Sequence, residues 1–225
     1  MKTNDLNWMI GGEAGFGIQS AGHYFALTCS RNGLQIFGNA EYPSLIRGGH
    51  NSNVIRVSDR PVGIHREELD LLLAMNKETL DLHTAEVVEG GGIIYDHEAI
   101  KDYHFPTGIK VFEVPLQRLA LEAGKGLITR NTVGIGATLA LLDFGLETYL
   151  ETIKEAFAKK GEAVIANNEA AARAGYDYVR ANYKVEEFGF NLKAVEGAPR
   201  RLLLTGNDAV GLGAVKAGVK LVAEY

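Results

Sequence analysis

Cysteine is almost absent from this sequence: the 225 residues contain one, Cys29. A single cysteine excludes a disulfide within the chain. It also excludes an iron–sulfur cluster held by this chain alone, since such clusters are normally bound by four thiolates. Cys29 falls on the apolar face of a predicted helix, so we expect it to be a small core residue.

Long apolar runs and basic runs are also missing. No apolar run approaches the ~18 residues that span a bilayer, and the first residues lack the apolar region of a signal peptide. These features predict a cytoplasmic protein without membrane contact. The net charge is -5 and the Lys and Arg residues are scattered, which argues against nucleic acid as a partner.

The sequence also lacks the common catalytic and metal-binding motifs. The sequence contains no nucleophile elbow, no complete P-loop, no paired carboxylates and no histidines at metal-ligand spacing. We therefore predict no catalytic residue and no metal site. This pattern fits a domain that binds and scaffolds while the chemistry occurs elsewhere.

The most informative stretch that is present runs from Trp8 to Gly22 and predicts a strand, a glycine-rich loop and a helix. Gly12, Gly15 and Gly17 are the candidate binding residues, because free N–H groups at a helix start favour an anion. The alternative is that these glycines only let the strand and the helix pack closely.

This loop is a poor dinucleotide fingerprint. It supplies two glycines of G-x-G-x-x-G, but serine occupies the third position at Ser20. We also expect no acidic residue at the end of the second strand, where such enzymes hold the ribose.

The rest of the chain predicts an α/β fold with a Rossmann-like, mostly parallel sheet and a helical C-terminal half. Strands are expected at 34–38, 54–58, 69–75, 93–96 and 110–114. A helix is expected at 77–89, closed by Gly90–Gly92, and surface helices at 147–160 and within 162–182. In a further helix, from Asn131 to Leu142, small residues such as Gly134 and Gly136 allow another backbone to approach closely. Asn131 is expected to cap that helix, and Gly33 to end the first one.

A second candidate segment is the irregular stretch 39–53, rich in Gly, Pro and Asn. Its candidate binding residues are Arg47, Gly48, Gly49 and His50. We expect both glycine segments to meet in one crevice, where the Arg47 fork would bind a phosphate or carboxylate. The alternative for Arg47 is an ion pair across a subunit contact. His50 could orient a ligand or act as an acid or base, but we expect it to satisfy backbone groups.

The sequence divides into residues 1–184, a linker at 185–201 and a final segment at 202–225. The final segment repeats the order of strand, glycine loop and helix. About 25 residues cannot bury a core of their own. We therefore expect them to be the incomplete beginning of a second α/β domain, or to pack on the first.

Three segments together resemble the gamma domain of the 2-oxoacid:ferredoxin oxidoreductases: Gly11–Gly17 with Ala21-Gly22, Tyr42–Asn51, and Asn131–Ala137. Leu204–Ala214 is similar to the start of the alpha, or pyrimidine-binding, domain, which follows the gamma domain in one branch of that family. The fused order resembles the 2-oxoglutarate branch more than the pyruvate enzymes. The resemblance covers essentially the whole chain.

The resemblance implies CoA-dependent oxidative decarboxylation of a 2-oxoacid to an acyl-CoA, with electrons passed to ferredoxin. It implies thiamine diphosphate between alpha and beta subunits and iron–sulfur clusters in partner parts. The gamma domain would help to assemble the multisubunit complex and border the CoA site, and the isolated chain would be inactive. Two other hypotheses are a non-catalytic assembly module and a Rossmann-type NAD(P)-binding reductase.

Overall fold

The computed structural model describes residues 1–44, 48–199 and 201–223. Its strands are β1 (Lys2–Thr3), β2 (Asp5–Glu13), β3 (Gln35–Glu41), β4 (His50–Ser58), β5 (Leu69–Ala74), β6 (Val87–Tyr95), β7 (Lys110–Glu113) and β8 (Phe190–Asn191). Its α-helices are α1 (Ile18–Arg31), α2 (Lys77–His83), α3 (Leu116–Glu122), α4 (Arg130–Leu141), α5 (Glu147–Phe157), α6 (Glu162–Asn182) and α7 (Gly206–Lys216).

Six strands form the main sheet in the order β3-β4-β2-β5-β6-β7. The pairs β2–β5, β5–β6 and β6–β7 are parallel, whereas β4 is antiparallel to both β2 and β3. The predicted α/β fold with a mostly parallel sheet is thus confirmed. β4 lies between β2 and β3, so the two strands joined by α1 are not neighbours.

The sheet is buried because helices cover one face and a short helix with a long loop covers the other. β5 is apolar except for Asp70 and buried throughout, as expected for a central strand covered on both sides. On the first face, Trp8 is fully buried and packs on Phe25 of α1, with ring centroids 4.2 Å apart. On the second face, Leu80 of α2 and Ile100 of the loop after β6 cover the sheet.

α1 begins and ends at glycines in the left-handed region. Gly33 (φ 84°) ends the helix, where its N–H donates to the Ser30 carbonyl at 3.0 Å and the Leu34 N–H donates to the Cys29 carbonyl at 3.2 Å. This pair of bonds satisfies carbonyls that the helix end would leave free. The predicted roles of Gly33 as a helix terminator and of Cys29 as a core residue are confirmed.

α4 and α6 pack with their backbones in close contact, as the small residues of α4 predicted. A Cβ at Gly136 would lie 2.0 Å from the Ala172 carbonyl oxygen, and one at Gly175 would lie 2.0 Å from the Val133 carbonyl oxygen. The contact is internal to the chain.

Two sequence predictions about the middle of the chain are wrong. The helix expected at 77–89 ends at His83, and residues Val87–Tyr95 form a strand that includes Gly90–Gly92. A Cβ at Gly92 would come within 3.0 Å of the Phe112 and Phe188 rings, so this glycine serves close packing inside a strand. The irregular segment expected at 39–53 is shorter, because β3 extends to Glu41 and β4 begins at His50.

The predicted linker is wrong over residues 185–192. Val185, Phe188 and Leu192 are buried in the core, and β8 pairs in parallel with β1.

The strand expected at the start of the final segment is absent from residues 201–205. α7 is present, and its N-terminus is capped reciprocally by Thr205 and Asp208. Among the described residues, no helix combines the length and apolar character that crossing a bilayer requires.

Candidate functional site

The loop between β2 and α1 lies at the carboxyl edge of the parallel strands. β2 ends at Glu13, whose carbonyl accepts a bond from the Phe16 N–H at 3.1 Å. Gly15 (φ 96°) and Gly17 (φ 73°) adopt the left-handed conformation that favours glycine. Among the described residues, no side chain caps the start of α1, which leaves its first amides without a side-chain acceptor there.

Gly12 has a packing role, because it lies inside β2 rather than in the loop. A Cβ there would come within 2.9 Å of both the Ile18 side chain and the Met75 Cβ atom. Close packing therefore explains this glycine. For Gly12, this agrees with the alternative interpretation of the sequence, in which the glycines let the strand and the helix pack closely.

The second glycine segment lies directly beside the first. The Ala14 N–H donates to the Gly49 carbonyl at 3.1 Å, and Glu13 pairs with His50 in the β2–β4 register. Gly48 (φ 74°) and Gly49 (φ 86°) are both left-handed. The structure thus brings these two glycines and His50 next to the first loop. Arg47 lies outside the described residues, and ligand binding by either loop stays a prediction.

His50 contacts another histidine, not the backbone groups that we expected. Its Nε2 lies 2.8 Å from Nε2 of His83, and Nδ1 of His83 lies 2.9 Å from Glu86 Oε2. Burial, followed by the nearby His83, lowers the pKa of His50. If His83 donates from Nδ1 to Glu86, a neutral His50 donates from Nε2 to His83. Its own Nδ1 is buried without a partner among the described residues.

A second concavity at the same edge was missed by sequence reasoning. It has a volume of about 260 Å³ and its lining residues include Phe16, Asn76, Lys77, Lys101, Gln117 and Arg130. Asn131, expected to cap α4, instead lies inside that helix and donates from Nδ2 to the Gly17 carbonyl at 3.3 Å. This bond holds the start of α4 against the start of α1. No local motif marks Arg130 as part of a site.

The geometry does not form a dinucleotide site. Contrary to our expectation, an acidic residue does end the strand after α1, because β3 terminates at Glu41. However, β4 separates β3 from β2, so the two strand ends are not adjacent as dinucleotide binding requires. Within residues 1–44, 48–199 and 201–223, no group of three His, Cys, Asp or Glu residues could hold a metal ion.

The fold and this edge define an α/β domain with two adjacent glycine-rich loops at the carboxyl ends of its parallel strands. A family model described as pyruvate ferredoxin/flavodoxin oxidoreductase matches residues 7–178. The chain belongs to this family.

Relatives with known names agree with this assignment. The chain is 27% identical to the 2-oxoacid:ferredoxin oxidoreductase subunit alpha of a Sulfolobus species. The match covers 98% of this chain and 40% of that subunit. It superimposes with a TM-score of 0.89 and 27% identity on 2-oxoglutarate:ferredoxin oxidoreductase from Magnetococcus marinus, solved with 2-oxoglutarate, coenzyme A and succinyl-CoA bound. That match covers 96% of this chain and 38% of the other.

A shorter relative matches over its whole length. The gamma subunit of the keto/oxoacid ferredoxin oxidoreductase from Geobacter sulfurreducens superimposes with a TM-score of 0.69 and 25% identity. The match covers 99% of that subunit and 80% of this chain. The chain therefore spans about two fifths of the length of the long relatives and covers 99% of this shorter one.

Proposed function

We propose that this chain is the gamma-type part of a 2-oxoacid:ferredoxin oxidoreductase that decarboxylates a 2-oxoacid, with CoA accepting the acyl group and ferredoxin the electrons. The observation that carries the proposal is the TM-score of 0.89 over 96% of the chain to 2-oxoglutarate:ferredoxin oxidoreductase. On the same basis, 2-oxoglutarate is our proposed substrate.

The proposed domain division is a gamma-type unit over about residues 1–184, followed by the beginning of an alpha-type domain at 202–225. The separate gamma subunit covers 80% of this chain, whereas the longer relative covers 96%. That difference supports a second unit after the gamma-type one. Its proposed partners are the remainder of the alpha domain, a beta subunit and ferredoxin.

The chemistry of decarboxylation would be carried by those partners. Thiamine diphosphate supplies the carbanion chemistry when it is bound, and clusters carry the electrons. Cys29 is fully buried and alone, so this chain's residues do not fit a cluster. The contribution that we propose for this chain is assembly, together with part of the CoA site at Gly15, Gly17, Gly48, Gly49, His50 and Arg47.

A thermal-shift titration with CoA tests the CoA contribution. Ligand at about 100 times its Kd stabilises the folded state by about 2.7 kcal/mol, which raises Tm by about 5–10 °C in a protein of this size. Pantetheine, which lacks the phosphates, should give a much smaller shift, and NAD(P) should give none. A shift with NAD(P) alone would contradict the family-based function.

Two glycine variants make the titration specific. Gly15→Ala strains the loop at φ 96° and should reduce the CoA shift. Gly90→Ala is the matched control, since Gly90 (φ 76°) is also left-handed, has no neighbour within 4 Å of a built Cβ, and lies in the amino half of β6. Equal CoA shifts in both variants would remove the loop from the site.

A purely assembling role is the second candidate function, favoured by an exposed apolar surface before α4. Leu121, Leu127 and Ile128 are 54%, 43% and 84% exposed. If these side chains are buried by a partner subunit, Ile128→Ser should weaken co-purification of the complex while leaving the Tm of the chain unchanged. Loss of co-purification together with the absence of any CoA shift would favour this role over CoA binding.

A further inference from the structure

We propose that the free edge of β3 pairs with the same edge of a second copy of this chain, so that the two sheets become continuous across a twofold axis at Gly38. This interface does not depend on the proposed function. It follows from a row of unpaired backbone groups on an exposed strand, from the contrast between the two edges of the sheet, and from the complementarity of β3 to itself.

Three residues of β3 direct their backbone groups away from the sheet. β3 is the last strand of the sheet and pairs only with β4. The Asp59 N–H donates to the Asn4 carbonyl across the β2–β4 pair, and successive residues of a strand direct their N–H and C=O groups to alternate sides. Odd-numbered residues of β4 therefore bond to β2, and even-numbered ones bond to odd-numbered residues of β3. Ile36, Gly38 and Ala40 are left facing outward.

The outward row is open to another strand. Gly38 and Ala40 are exposed and Ile36 is half-buried. Among the described residues, no group bonds to the backbone N–H or C=O of these three residues. An exposed edge of this kind is a template for strand pairing, which proteins usually prevent with proline, lysine or a β-bulge. β3 contains none of these, and its register with β4 is continuous over all seven residues.

The opposite edge of the sheet is blocked, which makes the open edge of β3 a distinguishing feature. β7 has four residues and begins with a lysine, Lys110. The Tyr183 hydroxyl accepts the Glu113 N–H at 2.8 Å and donates to the Glu113 carbonyl at 3.0 Å. Among the described residues, the chain thus occupies the free side of β7 with its own side chain and leaves that of β3 unoccupied.

β3 is complementary to itself in one antiparallel register. With Gly38 opposite Gly38 of the second copy, Ile36 lies opposite Ala40 and all outward residues face one another. Three N–H groups from each strand then donate across the axis, which gives six hydrogen bonds. A shift of two residues would leave Ile36 or Ala40 unpaired. Side chains at these two positions are apolar and share one face of the sheet, so their contact across the axis is favourable.

Charge complementarity favours a second copy as the occupant. In this register Glu41 lies opposite Gln35 of the second copy. The side-chain oxygen of Gln35 accepts hydrogen bonds from the guanidinium group of Arg201 at 2.8 and 3.2 Å. Each Glu41 carboxylate therefore approaches an arginine of the other chain, and symmetry provides this attraction twice. The two Glu41 residues are six positions apart along the paired strands, roughly 20 Å, so they do not repel each other strongly.

Sedimentation equilibrium of the whole chain over a range of concentrations tests for the dimer. We expect a reversible monomer–dimer equilibrium with a Kd of roughly 1–100 μM, as for a small interface. A chain that remains monomeric at roughly 500 μM would overturn the proposal, even if this edge bound a different subunit.

Disulfide trapping tests the register. In the variant Gly38→Cys the two Cα atoms would lie about 5.5 Å apart, which a disulfide can span. Ala40→Cys is the matched control, because Ala40 is also small, exposed and outward-facing, but its two copies would lie roughly 14 Å apart. The native Cys29 is buried and should not interfere. Mild oxidation should yield a covalent dimer of Gly38→Cys only. No cross-link in Gly38→Cys, or an equal yield in Ala40→Cys, would refute the register.

Charge reversal with rescue tests the occupant. Glu41→Arg and Arg201→Glu each place like charges opposite one another and should raise the Kd of the dimer by about fivefold or more. The double variant restores opposite charges and should return the Kd to within about twofold of the parent. Both side chains are exposed, so the Tm of the monomer should not change. If the double variant instead dimerises more weakly than either single variant, the charges do not meet across the axis and the proposed pairing is wrong.

Discussion

The contact between α4 and α6 provides the sharpest prediction about this fold, through the substitution Gly136→Ala. The new Cβ would lie 2.0 Å from the carbonyl oxygen of Ala172, whereas real Cβ atoms essentially never approach other atoms closer than 3.0 Å. The obstacle is backbone, which cannot rotate away as a side chain can. The two helices would have to separate by about 1 Å.

The cost of this separation can be estimated from packing. Overpacking a close-packed core typically costs about 1–3 kcal/mol, and a radial gap of 0.5–1 Å forfeits about a quarter to a half of each dispersion contact across it. Replacing Gly by Ala inside a helix returns about 1 kcal/mol through backbone propensity. Because the separation extends along a long buried interface, we expect a net loss of about 2 kcal/mol.

Thermal unfolding by circular dichroism measures this loss. For a chain of this size, 2 kcal/mol corresponds to a fall in Tm of about 4–8 °C. Gly134→Ala should cost less, because a Cβ there meets the flexible end of Leu73. Gly213→Ala is the control, since nothing lies within 4 Å of its built Cβ, and it should not lower Tm. A Gly136→Ala protein as stable as the parent would refute the close approach of the helices.

Two further predictions concern titratable groups. Because burial lowers the pKa of His50 below its ordinary value of 6.5, the unfolded chain takes up the proton first. The contribution of His50 to the free energy of unfolding should be fully present above pH 6.5 and should be lost as the pH falls through the lower folded-state pKa. His50→Gln should flatten this part of the Tm–pH curve. An unchanged slope would contradict the assignment. Burial raises the pKa of the Cys29 thiol, so Ellman's reagent should detect no thiol in the folded chain and one after unfolding. Reaction of the folded chain would show that α1 opens locally.

The sequence errors share a physical cause. Residues 84–89 carry apolar side chains at a spacing compatible with a helix, and the Gly90–Gly92 run has the composition of a helix terminator. In the structure, β6 gains ladder hydrogen bonds from β5 and β7 on both sides, and Gly92 lies against two aromatic rings. These partners are distant in sequence, so local patterns could not reveal them.

The predicted linker failed for a similar reason. Few apolar positions follow a period between residues 185 and 201, which is typical of a connecting segment. Yet the apolar side chains of this segment are buried in the core that the preceding elements form: Val185, Phe188, Phe190 and Leu192. An irregular segment can therefore bury its apolar side chains in a core although their positions in the sequence follow no helical or strand period.

The sequence by itself determined several of the local elements. The alternation of strand, glycine loop and helix at residues 8–22 is a local property of backbone freedom and apolar spacing. For the same reason, apolar spacing predicts a helix within 162–182, where α6 lies. A single cysteine was enough to exclude a cluster. The tertiary structure alone decided that β4 enters the sheet antiparallel between β2 and β3, and that Arg130 stacks on Phe16. The Arg130–Phe16 contact joins residues more than a hundred positions apart, and only packing of the whole core compensates the entropy of closing that loop.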